Sequence, residues 1–291
     1  MHPEAAQPEV QPPLVSVVIV SLNCRPALER CLDAIARSRG LERLEVLVVD
    51  AGSRDGSAEV DADRPWVQVI RMPMYFGKTR ARNIGTRTAK GEFILFLDPR
   101  VEVRPDCILR LAETLEARTD AAAAVPALES PSGDPVPSAF RLPAPAELRQ
   151  ASLKLEPLPR QPLSGDAVEA AEDWAVLLRK TFLAGMNYLN EKRFSEYWAM
   201  LDVYRQIRLA GKKVLFVEQA RAILHQELPP VAGRRELVSD AVAGAASWIA
   251  RYDGFFAALA FRLRCLLAAL ASLDPGLAWY ILQGRRLDPT Q

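Results

Sequence analysis

The chain has 291 residues, 49% hydrophobic and 25% charged, a balance that suits an ordinary globular domain and excludes a fibrous or wholly disordered chain. A formal net charge of +1 gives no whole-molecule attraction for nucleic acid, which is not expected as a partner. The four cysteines, Cys24, Cys31, Cys107 and Cys265, form no C-x-x-C pair, so zinc ribbons and redox pairs drop out and a reducing, cytoplasmic setting is expected.

Residues 1–13 are polar, proline-rich and without an apolar signal core, and read as a disordered lead-in. Val15 to Val20 is a continuous apolar, β-branched run, the pattern of a strand buried on both faces. Leu28, Cys31, Leu32 and Ile35 follow at helical spacing. Strands are predicted again at Glu45 to Asp50, Trp66 to Arg71 and Phe93 to Leu97, with a helix at Arg80 to Ala89 between the last two. This alternation predicts a largely parallel sheet with helical crossovers, and such sheets gather ligands at the carboxyl ends of their strands. Those ends carry Ser21-Leu22-Asn23, Asp50-Ala51-Gly52-Ser53 and Asp98-Pro99-Arg100.

From about Pro126 the chain becomes proline-rich, yet Ala146 to Leu155 looks helical. A strand at Trp174 to Leu178, helices at Lys180 to Leu189 and Tyr197 to Ala210, and strands at Val214 to Val217 and Ala220 to His225 resume the pattern. Ala241 to Leu282 is strongly apolar and helical. Arg262 and Arg264 would each cost roughly 2.5–3.5 kcal/mol at mid-bilayer, so a membrane span is rejected. Two readings of residues 254–286 stand: helices packed on the domain, or an anchor lying on a membrane surface. The expected divisions are 14–125, 126–172, 173–232 and 233–291.

Several chemistries are excluded. No G-x-G-x-x-G follows the first strand. Gly77-Lys78-Thr79 imitates a phosphate-binding P-loop, but Met72 stands where that motif needs glycine. Two histidines, one of them His2, are too few for histidine-rich metal sites or Ser-His hydrolysis.

Four ordered motifs remain: Val17 to Asn23; Val48-Val49-Asp50-Ala51-Gly52-Ser53-Arg54-Asp55-Gly56-Ser57; Gly77 to Gly85 with Ala89-Lys90-Gly91-Glu92; and Phe96-Leu97-Asp98-Pro99. In this order and spacing they resemble the opening of family 2 glycosyltransferases. Gly133, Ser138, Arg141 and Pro143, then Phe194 to His225, resemble the rhamnosyltransferase-like branch. The resemblance implies a GT-A fold, an α/β architecture whose mostly parallel central sheet is flanked by helices, here with C-terminal apolar helices. It implies a nucleotide-diphosphate sugar as donor, a glycan or lipid-linked acceptor, and an inverting transfer; the surface-anchor reading of residues 254–286 would put this at the inner face of a membrane. Donor contacts would come from Ser21, Asn23, Asp50, Lys78, Arg82, Asn83, Asp98 and Arg100. For Asp50 a turn-capping role competes with nucleotide contact.

Three departures bear on chemistry. The family's Asp-x-Asp binds Mg or Mn, with Asp98 and His225 at the metal, but Arg100 replaces the carboxylate that would touch it. A guanidinium cannot hold a cation, though it can bind diphosphate oxygens, so a metal-independent site is the alternative. The family's Glu-Asp pair, which supplies the general base, aligns with Ala199-Met200, leaving Glu196 and Asp202 as candidates. Asp173-Trp174 to Lys180 resembles the family's segment with a small glycine-containing step missing, and the family's glycine-rich turn before the acceptor loop has become Met186 to Glu191. A catalytically degenerate GT-A domain, binding nucleotide or glycan or scaffolding a partner in polysaccharide assembly, is the rival reading.

Overall fold

A computed structural model describes residues 13–159, 166–225, 228 and 230–287. The lead-in expected at residues 1–13 lies almost wholly outside the described residues.

The chain opens with β1 (Val15–Ser21), α1 (Arg25–Ala36), β2 (Leu44–Asp50), β3 (Val67–Arg71), α2 (Lys78–Thr88) and β4 (Phe93–Leu97). It continues through β5 (Val101–Val103), α3 (Cys107–Ala117), β6 (Ala121–Glu129), β7 (Pro135–Val136), β8 (Ala139–Phe140) and α4 (Pro145–Lys154). After β9 (Ala167–Val168) and β10 (Ala170–Ala171) come β11 (Ala175–Arg179), α5 (Lys180–Gly185), α6 (Ala199–Leu209) and β12 (Lys213–Leu224). The C-terminal helices are α7 (Arg234–Tyr252), α8 (Phe255–Ala271) and α9 (Pro275–Gln283).

The main sheet runs β3-β2-β1-β4-β11-β6-β12-β5. β1 lies parallel to β2 and β4, and β2 to β3, so their carboxyl ends fall on one edge. β11 inserts antiparallel between β4 and β6, which makes the sheet mixed at its centre. Strand periodicity splits the core in two. Val17, Ile19, Val46 and Val48 face α1 and α3, whereas Val18, Leu47 and Val49 face α2 and the C-terminal helices. Each such buried side chain contributes roughly 1.5–3 kcal/mol, which is why these strands read so clearly from sequence.

α2 is held close to the sheet by a residue without a side chain. A Cβ on Gly85 would strike Val18 Cγ1, so the helix can rest on β1 only as glycine. α1 starts with proline in its first turn, where the missing N–H costs nothing.

Several expectations are corrected. Val214 to Val217 and Ala220 to His225 are one strand, β12, whose register against β6 shifts between Val217 and Arg221. The helix expected to Leu189 stops at Gly185, and Asn187 and Tyr188 then take left-handed backbone. The helical stretch Ala241 to Leu282 is broken at Gly254 (φ 98°) and again at Leu273-Asp274-Pro275. β6, unforeseen, runs from Ala121 to Glu129 across the division expected at residue 126. No helix among the described residues is long and apolar enough to cross a membrane.

Candidate functional site

The loops at the carboxyl ends of β1 and β2 are knit to one another. Asp50 Oδ2 accepts from the backbone N–H of Gly52 (3.1 Å) and Ser53 (3.0 Å), closing a turn after β2. Its other oxygen, Oδ1, is buried with no hydrogen-bond partner. An orphaned buried acceptor of this kind costs free energy until a donor fills it, so both readings of Asp50 fit one side chain. Asn23, left-handed at φ 47°, bridges to the same turn: its N–H donates to Ser53 Oγ at 2.9 Å, and its Oδ1 accepts from Arg54 N at 2.8 Å. Ser21 is fully buried, its Oγ 3.4 Å from Cys24 Sγ. Ser21, Asn23 and Asp50 thus shape the rim of the sheet.

Beside them opens a cavity of about 590 Å³ with two unlike ends. The polar end carries Tyr75, Lys78, Asp98, Arg100, Asp173 and Glu196; the apolar end is walled by Phe140, Leu155, Leu158, Met200, Val231 and Leu237.

At the polar end, Lys78 Nζ lies 3.0 Å from Asp173 Oδ2 and 3.8 Å from Glu196 Oε1. Arg82 grips Asp173 from behind, with Nη1 2.7 Å from Oδ2 and Nη2 2.9 Å from the backbone carbonyl. Glu196 Oε2 accepts from the Tyr75 hydroxyl and, at 3.2 Å, from Lys78 N. Burial pushes the Glu196 carboxyl above its usual range, though Lys78 and the Tyr75 hydrogen bond oppose it. Burial acts the same way on Asp173, but Lys78 and Arg82 outweigh it and hold that carboxyl well below the carboxylate range. Two carboxylates contacting one lysine are therefore pushed apart, Asp173 downward and Glu196 upward.

Glu196 precedes α6 instead of riding on it. Its N–H donates to Asp240 Oδ2 at 3.1 Å, and the Ser195 hydroxyl donates to Asp240 Oδ1, so α7 holds this turn from below. From above it is held by Gly77, where a Cβ would come within 2.8 Å of the Ser195 carbonyl, while Thr79 N donates to that carbonyl at 2.9 Å.

At the end of β4, Arg100 forks onto Asp98, Nε to Oδ1 and Nη2 to Oδ2, both at 2.8 Å. Both carboxylate oxygens that a divalent cation would use are thereby engaged by a guanidinium. His225 is turned elsewhere: its Nε2 lies 2.8 Å from Glu102 Oε2. Among the described residues no three His, Cys, Asp or Glu side chains gather as a metal site. The donor set of Asp98, Arg100 and His225 does not fit the metal that the motif implies.

Of the residues picked out from sequence, Lys78, Asp98, Arg100 and Glu196 meet in the cavity. Asp202 does not. It is 1% exposed and accepts from Arg251 (2.8 Å), Tyr252 (2.7 Å) and Gln206 (3.0 Å), a staple between α6 and α7 with no lone pair facing the cavity. Asn83 is likewise committed to the fold, its amide nitrogen donating to Leu189 O (2.8 Å) and Glu191 Oε2 (2.7 Å). Arg82 reaches the site only through Asp173. Sequence reasoning passed over Tyr75 and Asp240, which no motif marks, and gave Asp173 no role although it begins the Asp-Trp pair before β11.

The sequence profile described as "Glycosyl transferase family 2" matches residues 16–161, half of the chain. An N-acetylglucosaminyltransferase of Sinorhizobium fredii is 34% identical over 107 residues, 35% of this chain and 26% of that protein. The succinoglycan biosynthesis protein ExoO of Rhizobium meliloti is 32% identical over 120 residues, 40% of this chain and 33% of that protein. The chain thus matches about a third or less of these relatives' lengths. Among solved structures, a Pyrobaculum calidifontis mannosyltransferase in complex with GDP-Man and Mn2+ superposes with a TM-score of 0.53 at 18% identity, covering 94% of this chain and 86% of that one. GalNAc-T7 with UDP, GalNAc and Mn2+ superposes with a TM-score of 0.59 at 18% identity, covering 81% of this chain and 47% of that one. These likenesses show the GT-A fold, and with the profile spanning β1 through α4 they make this chain a member of glycosyl transferase family 2.

Proposed function

We propose that the protein transfers a sugar from a nucleotide-diphosphate donor to a glycan or lipid-linked acceptor with inversion, using Glu196 as general base and no divalent metal. The observation that carries this reading is the Lys78–Glu196–Tyr75 cluster, a carboxyl with a raised pKa facing a cavity beside the strand ends. The acceptor hydroxyl attacks the anomeric carbon as its proton passes to Glu196. The bond from that carbon to the diphosphate oxygen breaks, and the electron pair leaves with the nucleotide diphosphate. Arg100, with Lys78, meets the charge that builds on the departing oxygens, as a guanidinium and an ammonium do elsewhere. The orphan Asp50 Oδ1 supplies an acceptor for a nucleobase or ribose donor. The apolar end favours the lipid-linked class of acceptor over a free glycan, because hydroxylated sugars gain little from Phe140, Leu158 and Val231.

A degenerate, non-catalytic domain remains the second reading. It is favoured by the Asp98–Arg100 fork, which neutralises both partners within the chain. Calorimetric titration with a panel of nucleoside diphosphate sugars, with EDTA and then with manganese, separates the outcomes. Donor binding unchanged by EDTA and weakened in Arg100→Ala is expected. Binding without turnover toward lipid-linked acceptors would leave the second reading, and no binding to any nucleotide would overturn both the transfer and the donor-site assignment.

A further inference from the structure

We infer that α8 and α9 form a docking surface for an anionic lipid bilayer, with α8 lying along the membrane plane. α8 buries Ala258, Phe261, Cys265 and Ala269 against the domain, yet its opposite side is also apolar. Phe256 is 82% exposed, Leu259 and Leu263 54%, Leu267 55% and Leu270 49%, and Trp279 of α9 adds 57%. At 3.6 residues per turn, the five α8 residues fall within about 80° of arc and run for about 21 Å. Single exposed leucines need no explanation, but a contiguous apolar stripe of this length marks a surface that meets something.

The charges name the partner. Arg262 and Arg264 stand on opposite flanks of the stripe, each about 60° beyond its edge by the same helical geometry. Exposed Arg285 follows α9 after Gly284, whereas Arg286 is turned back onto the domain, at 2.6 Å from Lys192 O and 3.1 Å from Ser247 Oγ. Neither α8 nor α9 contains an acidic residue, and Asp274 between them is bound to Arg235 at 3.0 Å. An apolar strip flanked by Arg262 and Arg264, with exposed Trp279 and Arg285 contributed from α9 and the residues after it, complements acyl chains below and anionic headgroups around it. A second copy of the chain is a poorer match. In a two-fold contact the same patch meets itself, so these arginines would face each other with no acid between them.

This surface is separate from the cavity. It stands whether or not the transfer chemistry above is right, since α8 contributes no residue to the site.

Co-sedimentation of the full chain with vesicles tests it. The protein is expected to pellet with mixed phosphatidylcholine and phosphatidylglycerol vesicles and to stay in solution with phosphatidylcholine alone. High salt should release it. Leu263→Glu/Leu267→Glu should lower partitioning by at least about tenfold, and Arg264→Glu by about fivefold or more. Both variants change exposed side chains, so an unchanged thermal transition confirms that they fold. Equal binding by wild type and the double variant would overturn the inference. So would a vesicle-indifferent protein that sediments as a dimer and becomes monomeric in the double variant.

Discussion

The two ends of the cavity are built by opposite means. The polar end takes Tyr75, Lys78, Asp173 and Glu196 from distant segments and locks them through charge and hydrogen bonds. The apolar end takes Phe140 and Leu155 from the proline-rich insert, and Met200 and Leu237 from α6 and α7, with packing alone. Polar groups act at fixed distances and are worth most when desolvated and paired, so they fix geometry. Apolar walls are non-directional, so they fix only volume and can drift with the acceptor. The altered turn at Met186 to Glu191 is bound by Asn83 at Leu189 and Glu191, which ties it to α2.

This contrast makes graded predictions. The largest effect belongs to Glu196→Gln, which should lower kcat roughly 10²–10⁴-fold with donor affinity nearly unchanged. An equal fall in donor affinity would show that Glu196 binds and does not act as base. The acidic limb of the kcat/KM profile should lie above the ~4.3 of an ordinary glutamate, because the folded carboxyl is raised and must lose its proton to work. Next, Arg82→Ala removes a guanidinium that is almost wholly buried and should cost about 3 kcal/mol in a urea melt. Asp173 sets the pH window of that pair. Its folded pKa is depressed, so the stability it gives is present in full above the ordinary ~3.9 and is lost as pH falls through the folded value. The gap between wild type and Asp173→Asn should therefore narrow in melts run below about pH 4.

Arg100→Ala should weaken donor binding by about 1.5–3 kcal/mol, the worth of a hydrogen bond to a charged group. Tighter binding of manganese by this variant would show that Arg100 had only been blocking Asp98. The smallest effect is at the apolar wall. Val231→Ser should raise KM for a lipid-linked acceptor by a few-fold, about 1 kcal/mol, and leave a free-sugar acceptor untouched. A change for both acceptors would mean that the two ends are not separate.

What could be read from sequence followed the range of the interactions. β1, β2 and β4 were legible because both faces are buried and every residue repeats the same message. α1 was legible from the helical spacing of Leu28, Cys31, Leu32 and Ile35. β6 was missed because Ala121 to Ala124 and Pro126 are poor strand formers, kept extended by pairing with β12 nearly a hundred residues away. Asp98 and Arg100 announced their relation from two positions apart, whereas Tyr75 and Glu196 meet across 121 residues. For Asp202 the motif position left a structural acid and a base both open, since it says nothing of what surrounds the side chain, and here Arg251 and Tyr252 take up its oxygens.

The Asp240 clamp has a consequence for how the protein comes into being. The turn after β2 and its bonds to Asn23 lie wholly within residues 23–54 and close without any later segment. The Ser195–Glu196 turn is fixed only once α7 has been synthesised, because both of its hydrogen bonds to α7 end on Asp240, which Leu287 N also approaches at 3.2 Å. A chain stalled or clipped before α7 keeps the first set of bonds and loses the second.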